Sequence, residues 1–282
     1  METIALNNGV EIPQVGLGTY LLEPDDAQAS VTCALNNGYI LIDTANVYVN
    51  ERAVGRGMRA SSKAREDIFL ETKLWPSFFE RETEVDETLE RLGVEYIDLM
   101  ILHQPAGNII AGYRQLEAAY KAGKIRAIGL SNFDVAQTQR ILDECKVVPA
   151  INQVECHPYF PQTELKALLK EHDIALQAWY PLGGRGNDSI MGEALIQAIA
   201  EKHGKSPAQV ILRWHVQQGH IVIPCSKTPS HIAQNIELFD FALTDQEMAQ
   251  ITTLDRGKPM FEHTEERLAQ FAAFVPDVDG EK

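Results

Sequence analysis

Four residues of this chain could together move a proton. Asp43 closes the mostly apolar run Tyr39-Ile40-Leu41-Ile42-Asp43, and Tyr48 follows five positions later. Lys73 ends a second apolar run and His103 a third. A phenol titrates near ~10 unaided. An ammonium nearby favours phenolate and lowers that value, while a carboxylate beside the ammonium holds and orients it. A phenol tuned this way can give a proton to a developing alkoxide. A neutral imidazole can donate the hydrogen bond that aims a carbonyl oxygen at the phenol. Nothing in the set is a metal cage, and the His, Cys and acidic residues show no zinc-ligand spacing. The parts fit reduction of a carbonyl by an external hydride donor. Singly, each has a plainer reading: Asp43 a turn residue or helix cap, Lys73 a solvated strand end, His103 a satisfied polar group, Tyr48 packing. Their joint placement carries the argument.

Such a placement needs strands that end at one rim. Apolar strand-like runs recur every 25 to 30 residues or so, about one βα unit. They are Gln14 to Gly18, Tyr39 to Asp43, Ile68 to Lys73, Ile97 to His103, Ile125 to Ser131, Ala150 to Glu155, Ala175 to Trp179 and Ile221 to Pro224. Helix-like segments lie between them, with Asp134 and Ser206-Pro207 as start signals and Gly38, Gly93, Gly123, Gly204 and Gly219 as stops. Eight units predict an α/β fold, a closed (β/α)8 TIM barrel rather than an open sheet. Asn7-Asn8-Gly9 between short apolar runs predicts an N-terminal β-hairpin. The tail from Gly257 reads as irregular and able to lie over one end of the barrel. In such a barrel the site sits where the strands' C-terminal ends open. Asp43, Lys73 and His103 then reach one mouth from three adjacent strands, with Tyr48 on the loop after the first of them.

The chain has 282 residues, 45% of them hydrophobic, enough for a full core in one domain spanning 1–282. Its net charge of −15 leaves no basic stripe for nucleic acid and opposes adhesion to anionic membranes. The first residues carry neither a basic nor an apolar targeting region. No apolar run approaches the roughly 18 residues that span a bilayer. Cys33, Cys145, Cys156 and Cys225 are scattered and read as reduced thiols. A cytoplasmic protein acting as a monomer on a small molecule is expected.

Asp43-Thr44-Ala45-Asn46-Val47-Tyr48-Val49-Asn50-Glu51, Leu102-His103-Gln104-Pro105, Gly129-Leu130-Ser131-Asn132-Phe133 and Gln153-Val154-Glu155-Cys156-His157-Pro158 resemble the aldo-keto reductases. The resemblance runs through nearly the whole chain and is nearest the bacterial branch of 2,5-diketo-D-gluconate reductases and prostaglandin F synthase-like enzymes. It implies a tetrad of Asp43, Tyr48, Lys73 and His103, with hydride passing from NADPH or NADH to an aldehyde or ketone and Tyr48 as proton donor. It also implies a coenzyme site. Ser131, Asn132 and Gln153 would meet the nicotinamide carboxamide, and Trp179 would stack on the ring. The backbone from Tyr180 through Leu182, Gly183 and Gly184 would approach the pyrophosphate. Gly18, Thr19, Tyr20 and Asp43 would close the nicotinamide side. Ser226, Lys227, Thr228, His231, Gln234 and Asn235 would face the adenosine end.

One departure matters for coenzyme choice. Where NADPH-using relatives carry Lys and Arg to clamp the 2′-phosphate, this chain has Cys225 and His231, with Lys227 two positions along. A weakened preference for NADPH over NADH follows. Tyr20, Tyr48, Trp75, His103 and Gln104 would line the substrate cleft, with Phe78 and Phe79 either beside them or simply packed. Phe261, Phe271 and Phe274 of the tail would cover it. The pattern Gly55-Arg56-Gly57-Met58-Arg59-Ala60 matches a dinucleotide fingerprint by letters only, since it falls in a helical segment. Two other classes compete: a non-enzymatic nicotinamide-binding regulatory subunit on the same fold, and a lyase using Lys73 as a Schiff-base nucleophile.

Overall fold

The computed structural model describes residues 2–183 and 189–281. Asn7, Asn8 and Gly9 turn the chain at its start. Strands β1 (Thr3–Ala5) and β2 (Glu11–Pro13) pair antiparallel with Ile4 opposite Ile12, and Gly9 adopts φ 82°, a left-handed value open to glycine without strain.

Eight strands follow: β3 (Gly16–Gly18), β4 (Leu41–Asp43), β5 (Phe69–Leu74), β6 (Leu99–Leu102), β7 (Ile128–Ser131), β8 (Ile151–Glu155), β9 (Ala175–Trp179) and β10 (Ile221–Val222). They form one parallel sheet in chain order. Bridges from Val15 to Val222 and from Gly18 to Cys225 join its first and last strands and close the barrel. The ordered strands are mostly shorter than the apolar runs, because ladder pairing stops before the run does at several ends.

Between β3 and β9 each strand is followed by one helix: α1 (Pro24–Asn36), α2 (Glu51–Arg59), α3 (Glu84–Leu92), α4 (Ile109–Lys121), α5 (Val135–Glu144) and α6 (Thr163–Glu171). Both α7 (Ala194–His203) and α8 (Pro207–Gln217) precede β10, and α9 (Pro229–Asn235), α10 (Asp245–Thr252) and α11 (Glu265–Ala273) come after it. Asp134 and Ser206 form capping boxes with Gln137 and Gln209. Helix α4 starts at Ile109 because Asn108 accepts from Ala111 N at 3.2 Å and caps it. The tail is not wholly irregular: Thr264 caps α11 by accepting from Arg267 N. The glycine pattern at residues 55–60 lies in α2 and its end, as expected of a chance match.

Side-chain alternation sorts the strands into two faces. Leu41, Phe69, Leu99, Ile151 and Ile221 point into the barrel and pack with Leu6 and Ile12 of the hairpin, which plugs that end. Asn7 Nδ2 and Asn8 Nδ2 tie the hairpin turn to the carbonyls of Pro149 and Arg126, each at 2.9 Å. The alternate residues Ile42, Leu70, Met100, Ile128, Leu130 and Leu176 face the helices in the main core. Each such fully buried aliphatic contributes about 1.5–3 kcal/mol. With the lower end plugged, polar inward positions accumulate toward the opposite mouth.

Candidate active site

On β5 the inward residues are Phe69, Glu71 and Lys73, so the strand's period of two carries Lys73 to the mouth. Lys73 is fully buried and paired with Asp43 Oδ1 of the neighbouring strand, and it also donates to Thr44 O at 2.9 Å. Asp43 is buried as well. Burial raises its carboxyl pKa, and the Lys73 charge pulls it back. Removing one partner of such a pair would leave an uncompensated buried charge, a loss of about 3–5 kcal/mol.

A single 3-10 turn over Asn46–Tyr48 brings Tyr48 back over the rim, and Val49 in the left-handed region (φ 54°) ends it. Lys73 Nζ lies 5.0 Å from the centre of the Tyr48 ring. His103, just past β6, has its ring 5.5 Å from Tyr48 and 5.2 Å from Trp75. Burial and then the Lys73 charge lower its pKa well below 6.5, so the imidazole is neutral. Asp43, Tyr48, Lys73 and His103 therefore meet at one place. One expectation fails: the pKa of Tyr48 is raised well above 10. Burial is the main cause, followed by the charges of Asp43, Tyr20, Glu71 and Cys225. Lys73 is spent on Asp43 and Thr44, so it does not make the phenol a stronger acid. It leaves Tyr48 protonated throughout the working pH range.

The coenzyme candidates form a continuous rim. Gly18 sits so close to its neighbour that a Cβ there would meet Ile223 O at 2.7 Å. Thr19 donates through both N and Oγ1 to Asp43 O, each at 3.0 Å. Asn132, at φ 68°, spans three strand ends. Its Nδ2 donates to His103 O at 3.0 Å and to Ser131 Oγ at 3.1 Å, and its Oδ1 accepts from Trp179 Nε1 at 2.8 Å. Ser131 and Gln153 are register partners on β7 and β8. Trp179 is half-buried at the end of β9, followed by Tyr180 at φ 55°, Leu182 and Gly183. Gly184 lies outside the described residues. Beyond β10, Lys227, Thr228, His231 and Gln234 are exposed, Ser226 is half-buried and Asn235 buried. Lys227 Nζ is held by Asp26 Oδ2 at 3.0 Å.

On the substrate side Tyr20 is exposed, its ring 5.1 Å from Tyr48. Among the described residues, the buried Gln104 Oε1 and His103 Nδ1 have no hydrogen-bond partner. Phe78 and Phe79 belong to the core, not the cleft. Phe271 and Phe274 pack on Trp75, whose Nε1 donates to Phe274 O at 2.9 Å, and Phe261 packs on Trp179 and Tyr180.

Sequence reasoning missed three inward polar residues. Glu71 and Gln177 join Gln153 inside the barrel, and Glu155 accepts from Met260 N at 2.7 Å and Phe261 N at 3.1 Å, anchoring the tail. The signal was available, since each lies two positions from a site residue on the same strand face. Zinc spacing also says nothing of Cys156, His215 and His220, whose ligand atoms the fold gathers within 4.8 Å of one another. There His215 Nδ1 is bonded to His220 Nδ1 at 3.1 Å and His215 Nε2 to Pro181 O at 3.2 Å. Burial pushes the Cys156 thiol up to about 12, so the group reads as packed and neutral.

Residues 14–256 match the Aldo/keto reductase family. The chain belongs to the aldo-keto reductases. It is 43% identical over 270 residues to morphine 6-dehydrogenase of Pseudomonas putida, covering 90% of this chain and 91% of that one. It is 39% identical over 259 residues to methylglyoxal reductase DkgA of Salmonella typhimurium, covering 90% and 94%. An aldo-keto reductase from a Medee basin deep-sea metagenome library superposes with a TM-score of 0.90 at 37% identity, covering 93% of this chain and 98% of that structure. The DkgA relative supports the bacterial branch that the motifs resemble. This aldo-keto reductase is therefore an oxidoreductase that reduces small-molecule carbonyls with a nicotinamide coenzyme, and nothing favours a non-enzymatic role. Among the described residues no helix is long and apolar enough to cross a membrane.

Proposed function

We propose that this aldo-keto reductase reduces small polar aldehydes and ketones, with Tyr48 as the proton donor, His103 orienting the carbonyl oxygen, and Lys73 with Asp43 holding the phenol's surroundings fixed. The observation that carries this reading is the convergence of a protonated phenol and a neutral imidazole, their rings 5.5 Å apart, above a buried ion pair. The coenzyme supplies a hydride when bound. The residues present fit it: Gln153, Ser131 and Asn132 cluster as amide and hydroxyl partners for a carboxamide, and Trp179 has its indole N–H committed to Asn132, which steadies the ring for stacking. In this reading the backbone of Tyr180, Leu182 and Gly183 meets the pyrophosphate, and Ser226, Thr228, Gln234 and Asn235 meet the adenosine end. Gly18, Thr19 and Tyr20 complete the nicotinamide side.

As the carbonyl gains negative charge, Tyr48 gives up its hydroxyl proton to the oxygen, and His103 and the phenol together hold that oxygen in place. The unpartnered His103 Nδ1 and Gln104 Oε1 are buried polar atoms that a polar substrate or its bridging water would satisfy. Tyr20 and Trp75 frame the rest of the cleft, and methylglyoxal, the compound named for the DkgA relative, is a small polar carbonyl of the proposed class.

Cys225 and His231 in place of a cationic clamp, with Lys227 tied to Asp26, favour use of NADH alongside NADPH. A strong NADPH preference that persists in Lys227→Ala would refute that. The decisive experiment on the chemistry is Tyr48→Phe, followed at 340 nm with a panel of short aldehydes. Turnover falls by about 10²-fold or more while NADPH binds as before. Equal loss of binding and turnover would show Tyr48 to be holding the site together instead.

A further inference from the structure

Glu71 is an acid that the chemistry above leaves unused. It is fully buried on the inward face of β5, two residues before Lys73, and it is the register partner of Asp43. Gln153 and Gln177, themselves register partners on β8 and β9, converge on it. Gln153 Nε2 lies 2.9 Å from Glu71 Oε1, 2.9 Å from Gln177 Oε1 and 3.0 Å from Asp43 Oδ1, so its two hydrogens are shared among three acceptors. Gln177 Nε2 donates to Glu71 Oε2 at 2.7 Å.

While Glu71 is ionised, the directions of these bonds are forced. Both Glu71 oxygens accept, which is the pattern of the ionised acid, so each amide must turn its nitrogen toward it. With its nitrogen turned to Glu71, Gln177 presents its oxygen to Gln153. Every one of these inward partners takes the Gln153 nitrogen, and none takes its oxygen. We propose that Glu71, with Gln177, locks the Gln153 amide in the one orientation that leaves its carbonyl oxygen for the nicotinamide carboxamide, making Glu71 and Gln177 positioning residues for coenzyme binding. The proposal rests on the coenzyme role given to Gln153 above.

A neutral amide at position 71 would loosen the lock, leaving Asp43 alone to demand the Gln153 nitrogen. Three amides in a triangle satisfy one another cyclically, each giving its nitrogen to the next oxygen, and that ring closes only with the Gln153 oxygen turned inward. Keeping an acid here works against stability, since burial and then the Asp43 charge push the Glu71 pKa up to about 8.

The test is calorimetric titration at about pH 9, where the acid is ionised, of NADPH and of 2′-phospho-ADP-ribose, which lacks the nicotinamide. In Glu71→Gln, NADPH affinity falls about tenfold while 2′-phospho-ADP-ribose stays within about twofold and Tm does not drop. The exchange Glu71→Gln/Gln177→Glu restores the acceptor pattern and brings NADPH back to within about threefold of the parent. Gln177→Met, which keeps the acid but strips Glu71 Oε2 of its donor, shows the same selectivity with a smaller loss. Equal weakening of both ligands, no weakening, or an exchange variant as weak as Glu71→Gln would overturn the proposal. Gln153→Ala separates the two readings. If it loses NADPH affinity while Glu71→Gln does not, the lock alone is wrong. If it loses none, the coenzyme role of Gln153 falls and the lock with it.

Discussion

Lys73 shows how little a charge can be read without its partners. Its ammonium is buried between Asp43 Oδ1 and Thr44 O, so it organises the site while the nearby phenol remains a firmly protonated donor. Lys227 is a second case. It stands where it could serve a 2′-phosphate, yet Asp26 holds it at 3.0 Å on an exposed surface. An exposed pair is worth only about 0.2–1 kcal/mol, so a 2′-phosphate bound there would compete for the lysine at a modest penalty. Asp26→Asn releases it, and the KM for NADPH falls by about two- to fivefold while that for NADH is unchanged. A parallel change in both coenzymes would place Asp26 elsewhere in the site.

At the scale of elements, the helices are held in register by caps and by a few charged tethers. Thr244 and Glu247 cap α10 reciprocally, and Glu247 also takes Lys202 at 2.8 Å and His203 from α7. Burial opposes ionisation of Glu247, but the hydrogen bonds from Lys202, the Thr244 amide and His203 outweigh it and bring its pKa down from 4.5 to about 2. A carboxyl whose folded pKa is depressed adds stability that is complete above its unfolded value and is lost as pH falls toward the folded one. Glu247→Gln therefore lowers Tm by about 2–4 °C at neutral pH, and the gap between variant and parent narrows between pH 4.5 and about 2. A gap that stays constant over that range would remove the charge from the explanation. The tail obeys the same logic: Glu155 fixes the amides of Met260 and Phe261, which sets Phe261 against Trp179.

For the whole molecule, the net charge of −15 sets a repulsive field for anionic carbonyls, screened beyond about 8 Å at physiological salt. Raising the ionic strength from about 0.01 to 0.15 M increases kcat/KM for an anionic sugar-acid carbonyl and leaves a neutral aldehyde unaffected. A salt effect of the opposite sign for the anion would mean that local cations at the mouth govern its approach.

Residues 39–43, 68–73 and 97–103 announced their strands by an apolar run ending in a polar residue, because a strand buried on both faces can turn polar only where it leaves the wall. Asp134 and Ser206 announced helix starts because capping is a local bond. These local rules determined the eightfold βα order, the hairpin and the tetrad's shared mouth. Asn108 as a cap and Thr264 before α11 were missed among ordinary loop letters. What the linear order could not contain was who sits opposite whom across the barrel. Asp43, Glu71, Gln153 and Gln177 come from four strands up to 134 residues apart in number, and their contacts depend on barrel closure and register. Whether Lys73 lowers the Tyr48 pKa, whether Phe78 lines the cleft or packs, and whether Lys227 is free were decided there too. Each answer turns on distance and burial, which arise only when the sheet closes on itself.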